Sequence, residues 1–338
     1  MVIFGVGSVG QAVARLVLQR GWRLAAGINR SGPKIGRDLG LLAGQAEPLG
    51  IAVEDAAVVN LDRLDADIAV VAVDDRLART RPLHRRLLEA GLNVVCSGGE
   101  SSFPRAINGD AARELDAVAR ANGVTFTGVG LWDAYRLGTL RALAGPCTAL
   151  RGLHHLSVVD VGRFGAETAR LVGIGAVPGE GVGADAEPSI YRVLLQQAAA
   201  SLGLTVEAMH ERRERVVLAE PVPYPALGCV VEPGETAGSR SLLELSTREG
   251  VVVTGQLELR LTRPHEAERL GWTIDGDPPA ELALSGLDTG HATASSITNR
   301  LPDVIAAPPG LVTVDQLAPM RCHLGRLDSA IEPRGVAG

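Results

Sequence analysis

An apolar run from Met1 to Phe4 leads straight into Gly5-Val6-Gly7-Ser8-Val9-Gly10, and a helical pattern follows over Val9–Arg20. Strand, glycine-spaced turn and helix, in that order, are the context a dinucleotide-binding loop requires. The three glycines have separate reasons. Gly5 permits the tight turn, Gly7 lets the backbone approach a pyrophosphate, and Gly10 allows close packing of helix on strand. Ser8 and Val9 open the helix, whose N-terminus offers N–H groups and partial positive charge to phosphates. A glycine-rich turn that binds nothing is the alternative, and the strand–helix alternation that follows argues against it.

Arg23–Ile28, Asp67–Val73, Leu92–Ser97 and Val124–Gly128 read as further strands. Arg79–Ala90 and Ala111–Ala121 read as helices, with apolar residues at three- and four-residue spacing. The strands are near-continuous apolar runs, as a parallel sheet covered on both faces demands. After Gly130 the pattern changes. Ala134–Ala144 reads as a helix, Leu153–Val161 as a strand, and Gly173–Pro188 as a loop rich in Gly, Ala and Pro. Tyr191–Ser201 and Val206–Arg215 look helical, whereas Arg240–Ser246, Val251–Leu261 and Trp272–Ile274 are β-rich with no helix between them. Thr293–Ile305 is a last helix, stopped by Pro308-Pro309-Gly310, and Leu327–Gly338 reads as a frayed tail. The expected class is α/β: an N-terminal Rossmann domain over 1–130, then a second α+β domain over 131–290 on an open mixed or antiparallel sheet. A length of 338 residues suits two such domains.

Composition removes several alternatives. A net charge of −6 argues against a general nucleic-acid binder. No apolar run reaches the roughly 18 residues of a membrane span, and nothing at the start reads as a signal peptide. Cys96, Cys147, Cys229 and Cys322 show neither CxxC nor zinc-like spacing, so no metal site and a reduced, cytoplasmic setting are expected. Lys34 is the only lysine among 33 basic residues, so any lysine-dependent mechanism must use it.

In an open parallel sheet, ligands lie beyond the carboxyl ends of the strands. After the second strand come Asn29-Arg30-Ser31, with no acidic residue to hold a ribose 2′-hydroxyl. Arg30 and Ser31, with charge from Lys34, suit a 2′-phosphate instead, which favours NADP(H) and leaves NAD(H) open. After Leu92–Ser97 comes Gly98-Gly99-Glu100, a carboxylate on a loop with two glycines, near where a nicotinamide would lie. Glu100 there suits a general base or an amine ligand. A helix-capping or solvated glutamate is the alternative.

These pieces resemble the 2,4-diaminopentanoate dehydrogenase family, which includes native amine dehydrogenases and is related to dihydrodipicolinate reductase. The matching segments are the glycine turn, Ile35-Gly36-Arg37-Asp38-Leu39-Gly40, and Asn93-Val94-Val95 leading to Glu100-Ser101-Ser102-Phe103-Pro104. Towards the end come Trp272-Thr273-Ile274-Asp275-Gly276-Asp277-Pro278, Asn299-Arg300-Leu301-Pro302 and Ala306-Ala307-Pro308-Pro309-Gly310-Leu311. The resemblance implies an oxidoreductase that reductively aminates a small ketone or amino ketone with ammonia and NAD(P)H, or runs the deamination in reverse. It implies that Glu100 binds and deprotonates ammonium. It also implies that segment 291–338 returns a helix to the Rossmann domain, and that the chain forms a homodimer.

The chain departs from the family after the last Rossmann strand. An Asn-Pro-Gly-Phe-like segment is usual there, and Leu131-Trp132-Asp133-Ala134-Tyr135-Arg136 stands in its place. Trp132 and Tyr135 suit walls of a substrate pocket or ordinary core, Asp133 a substrate amine, and Arg136 a carboxylate. His154-His155 is similar to the paired histidines of dihydrodipicolinate reductase, which makes His154 a substrate-binding candidate. The lysine that follows them in that enzyme is missing, since Leu156–Phe164 contains none. Two alternatives remain at this level: an imine or carbonyl reductase that does not use ammonia, and a nucleotide-binding regulatory protein without catalysis.

Overall fold

A computed structural model describes residues 1–175 and 188–323. They fall into two compact units, one of residues 1–134 with the segment from 290 on, the other of residues 135–289.

In chain order the first unit contains β1 (Val2–Phe4), α1 (Ser8–Gln19), β2 (Ala26–Asn29), α2 (Leu39–Leu42), β3 (Val53–Asp55), β4 (Ile68–Val71), α3 (Leu77–Glu89), β5 (Asn93–Cys96), α4 (Pro104–Ile107), α5 (Gly109–Ala121) and β6 (Thr125–Gly128). The second contains α6 (Thr139–Ala144), β7 (Ala149–Asp160), α7 (Ala166–Val172), α8 (Tyr191–Ser201), β8 (Val206–Val217), β9 (Val222–Tyr224), β10 (Cys229–Val231), β11 (Thr236–Thr247), β12 (Val252–Arg260), β13 (Arg269–Asp277) and β14 (Ala280–Ser285). The chain then re-enters the first unit with α9 (Thr289–Ala306) and β15 (Gly310–Leu311).

The first unit is built on a parallel seven-stranded sheet in the order β15-β6-β5-β4-β1-β2-β3. β1 lies between β2 and β4, with Ile3 opposite both Gly27 and Val70. Strand order reverses at this point, which opens a crevice beyond the carboxyl ends of β1 and β4. The inner strands are fully buried, which explains their unbroken apolar sequences. α1 buries Gly10, Val13, Ala14 and Val17, one stripe at helical spacing. β3 and β15 have only three and two residues and carry no period for a sequence reading to find.

The second unit carries a six-stranded mixed sheet, in the order β14-β13-β7-β12-β11-β8. The β12–β7 pair is parallel and its other neighbours are antiparallel. α8 spans the residues its sequence predicts, and Gly255 of β12 admits it. A Cβ at Gly255 would stand 2.6 Å from the Tyr191 hydroxyl. His154, Leu156, His210, Glu244, Thr254 and Gln256 are among the residues lining a shallow cavity of about 630 Å³ on this sheet.

One expectation fails outright. Val206–Arg215 is not helical but lies within β8, paired with β11 from Thr247↔Val206 to Thr236↔Val217. Its Glu, Arg, Ala and Met residues are strong helix formers, but the ladder to β11 outweighs that weak preference. As an edge strand it keeps its charges, and Glu214 pairs with Arg212 at 2.9 Å and with Arg240 of β11 at 3.4 Å. Charge on an edge strand discourages pairing with other chains. Most of the expected loop Gly173–Pro188, and the tail Leu327–Gly338, lie outside the described residues.

His84 of α3 is completely buried, its ring 4.8 Å from that of Phe126. Burial pushes its proton affinity down from the usual value near 6.5 to about 3. Below pH 6.5 the unfolded chain therefore takes up a proton that the folded chain refuses, and stability falls with acidification. The expected loss from this residue between pH 7 and pH 5 is about 2 kcal/mol. Urea unfolding at the two pH values checks this: His84→Leu flattens the acid-side loss by that amount.

Candidate active site

The turn after β1 shows three different needs for glycine. Gly5 has φ +96°, and a Cβ there would meet the Ala72 carbonyl at 2.3 Å. A Cβ at Gly10 would lie 2.1 Å from the Gly5 carbonyl oxygen. Gly7, the N-cap of α1, has no atom within 4 Å of where its Cβ would be. A side chain would fit there by itself; a glycine keeps the space clear for a close ligand. Beyond it, the first turn of α1 presents N–H groups that no intrahelical carbonyl takes. With Ser8 and Val9 in that turn, the residues fit a dinucleotide's phosphates.

Asn29 and Lys34 converge on this turn through one residue. Asn29 Oδ1 accepts the Val6 N–H at 2.7 Å, and Lys34 Nζ donates to the Val6 carbonyl at 2.7 Å. Arg30 and Ser31 are exposed just beyond β2. Asp38, in the second matched segment, caps α2. Its carboxylate accepts the N–H groups of Leu41, Leu49, Gly50 and Ile51. Those bonds outweigh its desolvation and hold it below the usual carboxylate range.

Glu100 lies in a single 3₁₀ turn, Gly99–Ser102, which follows β5 at the same edge of the sheet. The glycines around it serve close approach. A Cβ on Gly98 would stand 2.4 Å from the Asp74 carbonyl, and one on Gly128 2.3 Å from the Ser102 nitrogen. So wedged, Glu100 is 6% exposed. Its Oε2 accepts the Leu77 N–H at 2.7 Å, at the N-terminus of α3, and its Oε1 accepts from Arg76 Nη1 at 2.9 Å. Neither Arg76 nor Leu77 stood out in the sequence, because the helix was expected to begin at Arg79. Read from Leu77, its N-terminus falls directly after β4, at the edge where Glu100 lies.

The divergent segment forms a π-helical turn, Trp132–Gly138, with Trp132 and Tyr135 half-buried. Such turns are rare and concentrate at functional sites. The sequence reading offered Asp133 to a substrate amine. Instead both its oxygens accept from Arg300 of α9, at 2.6 and 3.0 Å. Arg300 also reaches Asp303 at 2.8 Å and the Ala318 carbonyl at 2.7 Å, and is 1% exposed. Arg136, read as a carboxylate ligand, is buried in the second unit. It donates to Ser157 Oγ at 2.9 Å, while its carbonyl accepts the Trp272 indole N–H at 2.8 Å. Burial pulls the guanidinium down to about 10.

The two histidines of β7 point to opposite faces, as strand alternation requires. His154 is exposed, its Nδ1 2.8 Å from Thr254 Oγ1. His155 is buried, hydrogen-bonded to the Tyr191 hydroxyl, with its ring centroid 4.5 Å from Trp272. Burial, and secondarily the Arg136 charge, hold it neutral, well below its usual value.

A family model for the C-terminal domain of 2,4-diaminopentanoate dehydrogenase matches residues 139–332, more than half of the chain. The chain belongs to the 2,4-diaminopentanoate dehydrogenase family. The 2,4-diaminopentanoate dehydrogenase of Acetoanaerobium sticklandii is 22% identical, the match covering 96% of this chain and 95% of that one. The amine dehydrogenase from Mycobacterium smegmatis superposes with a TM-score of 0.90 at 33% identity, covering 96% of this chain and 97% of that one. A probable dehydrogenase from Thermotoga maritima shares the fold alone, at a TM-score of 0.59 and 14% identity over 93% of this chain and 91% of that one. The resemblance seen in the sequence therefore holds, and the chain is a dehydrogenase of this family. Among the described residues, no helix is long and apolar enough to cross a membrane.

Proposed function

We propose that the chain is an NAD(P)-dependent amine dehydrogenase, reductively aminating a small ketone or amino ketone or running the reverse deamination. The observation that carries this reading is Glu100. It is a buried carboxylate at the same sheet edge as the phosphate-type turn, in the position the family resemblance gives to the ammonia-handling glutamate. The turn and the first residues of α1 would hold the pyrophosphate, and Asn29, Arg30, Ser31 and Lys34 the adenosine ribose end.

Glu100 accepts a proton from ammonium, which leaves ammonia as the nucleophile toward the ketone carbonyl. The protonated Glu100 then returns that proton to the carbinolamine oxygen as water departs. The nicotinamide, when bound, supplies the hydride that reduces the resulting imine. Trp132 and Tyr135 present apolar surface suited to a small substrate. The face of the second sheet that bears His154 is the surface we assign to a second copy of the chain.

Oxidation of NADPH, followed at 340 nm against a panel of ketones with and without ammonium, tests the reading. Ammonium-dependent oxidation supports it. A second reading is favoured by one observation: both Glu100 oxygens already have donors, Leu77 N–H and Arg76. A carboxylate so held suits an imine or carbonyl reductase in which Glu100 anchors the loop, and oxidation indifferent to ammonium selects it.

The cofactor preference has its own test. If Arg30 holds a 2′-phosphate, Arg30→Ala raises KM for NADPH about tenfold or more, the worth of a charge-assisted hydrogen bond, and leaves KM for NADH nearly unchanged. Equal effects on both cofactors reduce Arg30 to a solvated loop charge.

A further inference from the structure

We propose that Arg76 is a built-in competitor at Glu100: its guanidinium takes the position that a cationic nitrogen takes on this carboxylate, so ammonium engages Glu100 by displacing Arg76. The inference rests on the reading of Glu100 as the ammonia-handling group.

The two partners of Glu100 differ in kind. Leu77 N–H is backbone at the start of a thirteen-residue helix, and cannot leave without unwinding it. Arg76 Nη1 sits at the end of a long side chain that is 16% exposed, beside a carboxylate side chain 8% exposed. Its backbone is fixed separately, since the Arg76 N–H donates to Asp74 Oδ1 at 2.9 Å. The bond from the guanidinium to Glu100 can therefore break while the N-cap of α3 stays in place.

The surrounding charges suit such an exchange. Asp74 is already engaged by Arg79 at 2.6 and 2.9 Å, and Arg30 contributes positive charge to it from further off. Asp75 accepts the Gly99 N–H at 2.9 Å and lies within electrostatic reach of both Arg76 and Glu100. Cys96, the thiol of the preceding strand, is pushed up to about 11 by burial and stays neutral. Arg76 is thus the cation hydrogen-bonded to Glu100, while burial pushes the Asp75 carboxyl up. With ammonium in the place of Arg76, the N–H whose proton is to be transferred is hydrogen-bonded to the carboxylate.

The test compares Arg76→Gln and Arg76→Lys in the full chain. Glutamine removes the charge and lysine keeps it. Steady-state kinetics are expected to show KM for ammonium falling about threefold or more in Arg76→Gln. Arg76→Lys should stay close to the parent enzyme in its KM for ammonium.

Glutamate ¹³Cδ NMR, with the Glu100 resonance identified by its loss in Glu100→Gln, reads the same carboxyl without turnover. Under the proposal this resonance responds to ammonium chloride at lower concentration in Arg76→Gln than in the parent, and potassium chloride does not reproduce the effect. An ammonium response unchanged in Arg76→Gln overturns the proposal and leaves Arg76 a structural clamp. A lowered ammonium requirement in the NMR, with no ammonium-dependent turnover of any ketone, upholds the competition and sinks the proposed function.

Discussion

Glu100→Gln is expected to lower ammonium-dependent turnover by about 10²- to 10⁴-fold, the usual contribution of a positioned acid–base group. NADPH affinity should change by less than about threefold, because the phosphate turn after β1 shares no hydrogen bond with Glu100 among those described. The substitution is nearly isosteric. A glutamine carbonyl still accepts the Leu77 N–H, so the N-terminus of α3 keeps its cap and the unfolding midpoint should move little. Fluorescence titration with NADPH beside steady-state kinetics separates the cases. Loss of turnover with binding intact identifies a chemical role. Parallel loss of turnover, binding and stability identifies an anchor for the loop.

The largest effect on stability is expected from Arg300→Met. Arg300 is almost entirely buried and spreads its donors over Asp133, Asp303 and the Ala318 carbonyl. Removing it strands the buried Asp133 carboxylate, which costs about 3–5 kcal/mol in comparable ion pairs. At about 2–4 °C per kcal/mol for a unit of this size, the melting temperature falls by roughly 10 °C. Adding Asp133→Asn removes the stranded charge, so the double variant should recover part of the loss. Calorimetry on the parent, both single variants and the double variant gives the coupling directly. Independent, additive losses would show that the pair contributes no more than its separate packing.

The glycine turn and the parallel core were legible because each rests on local rules: a spacing for the turn and unbroken apolar runs for the strands. α8 was legible down to its ends for the same reason. β8 was not, because its Glu/Arg-rich sequence prefers a helix and only the ladder to β11 makes it a strand. Glu100 stood out by its place after a strand. Its partners did not, since Arg76 lies 24 positions away and meets it only through the parallel pairing of β4 with β5. Asp133 shows the same limit more sharply. Its partner Arg300 is 167 positions distant, on a helix that returns to the first unit after the whole second unit has been built. A carboxylate read alone looked open to an amine, and a fold-level contact had already taken it.

Lys34 is the chain's one lysine, and its amine rests on the carbonyl of Val6 within the glycine turn. Besides the α-amine of Met1, reagents that acylate or alkylate amines therefore have one side-chain address, and it lies against the turn assigned to the phosphates. Acylation there cancels a positive charge and removes the donor that holds the Val6 carbonyl. A fluorophore attached through that amine would sit where it registers cofactor arrival without an engineered cysteine, and a bound dinucleotide would shield the amine from labelling. An arginine-rich composition has left the protein with one natural side-chain amine handle.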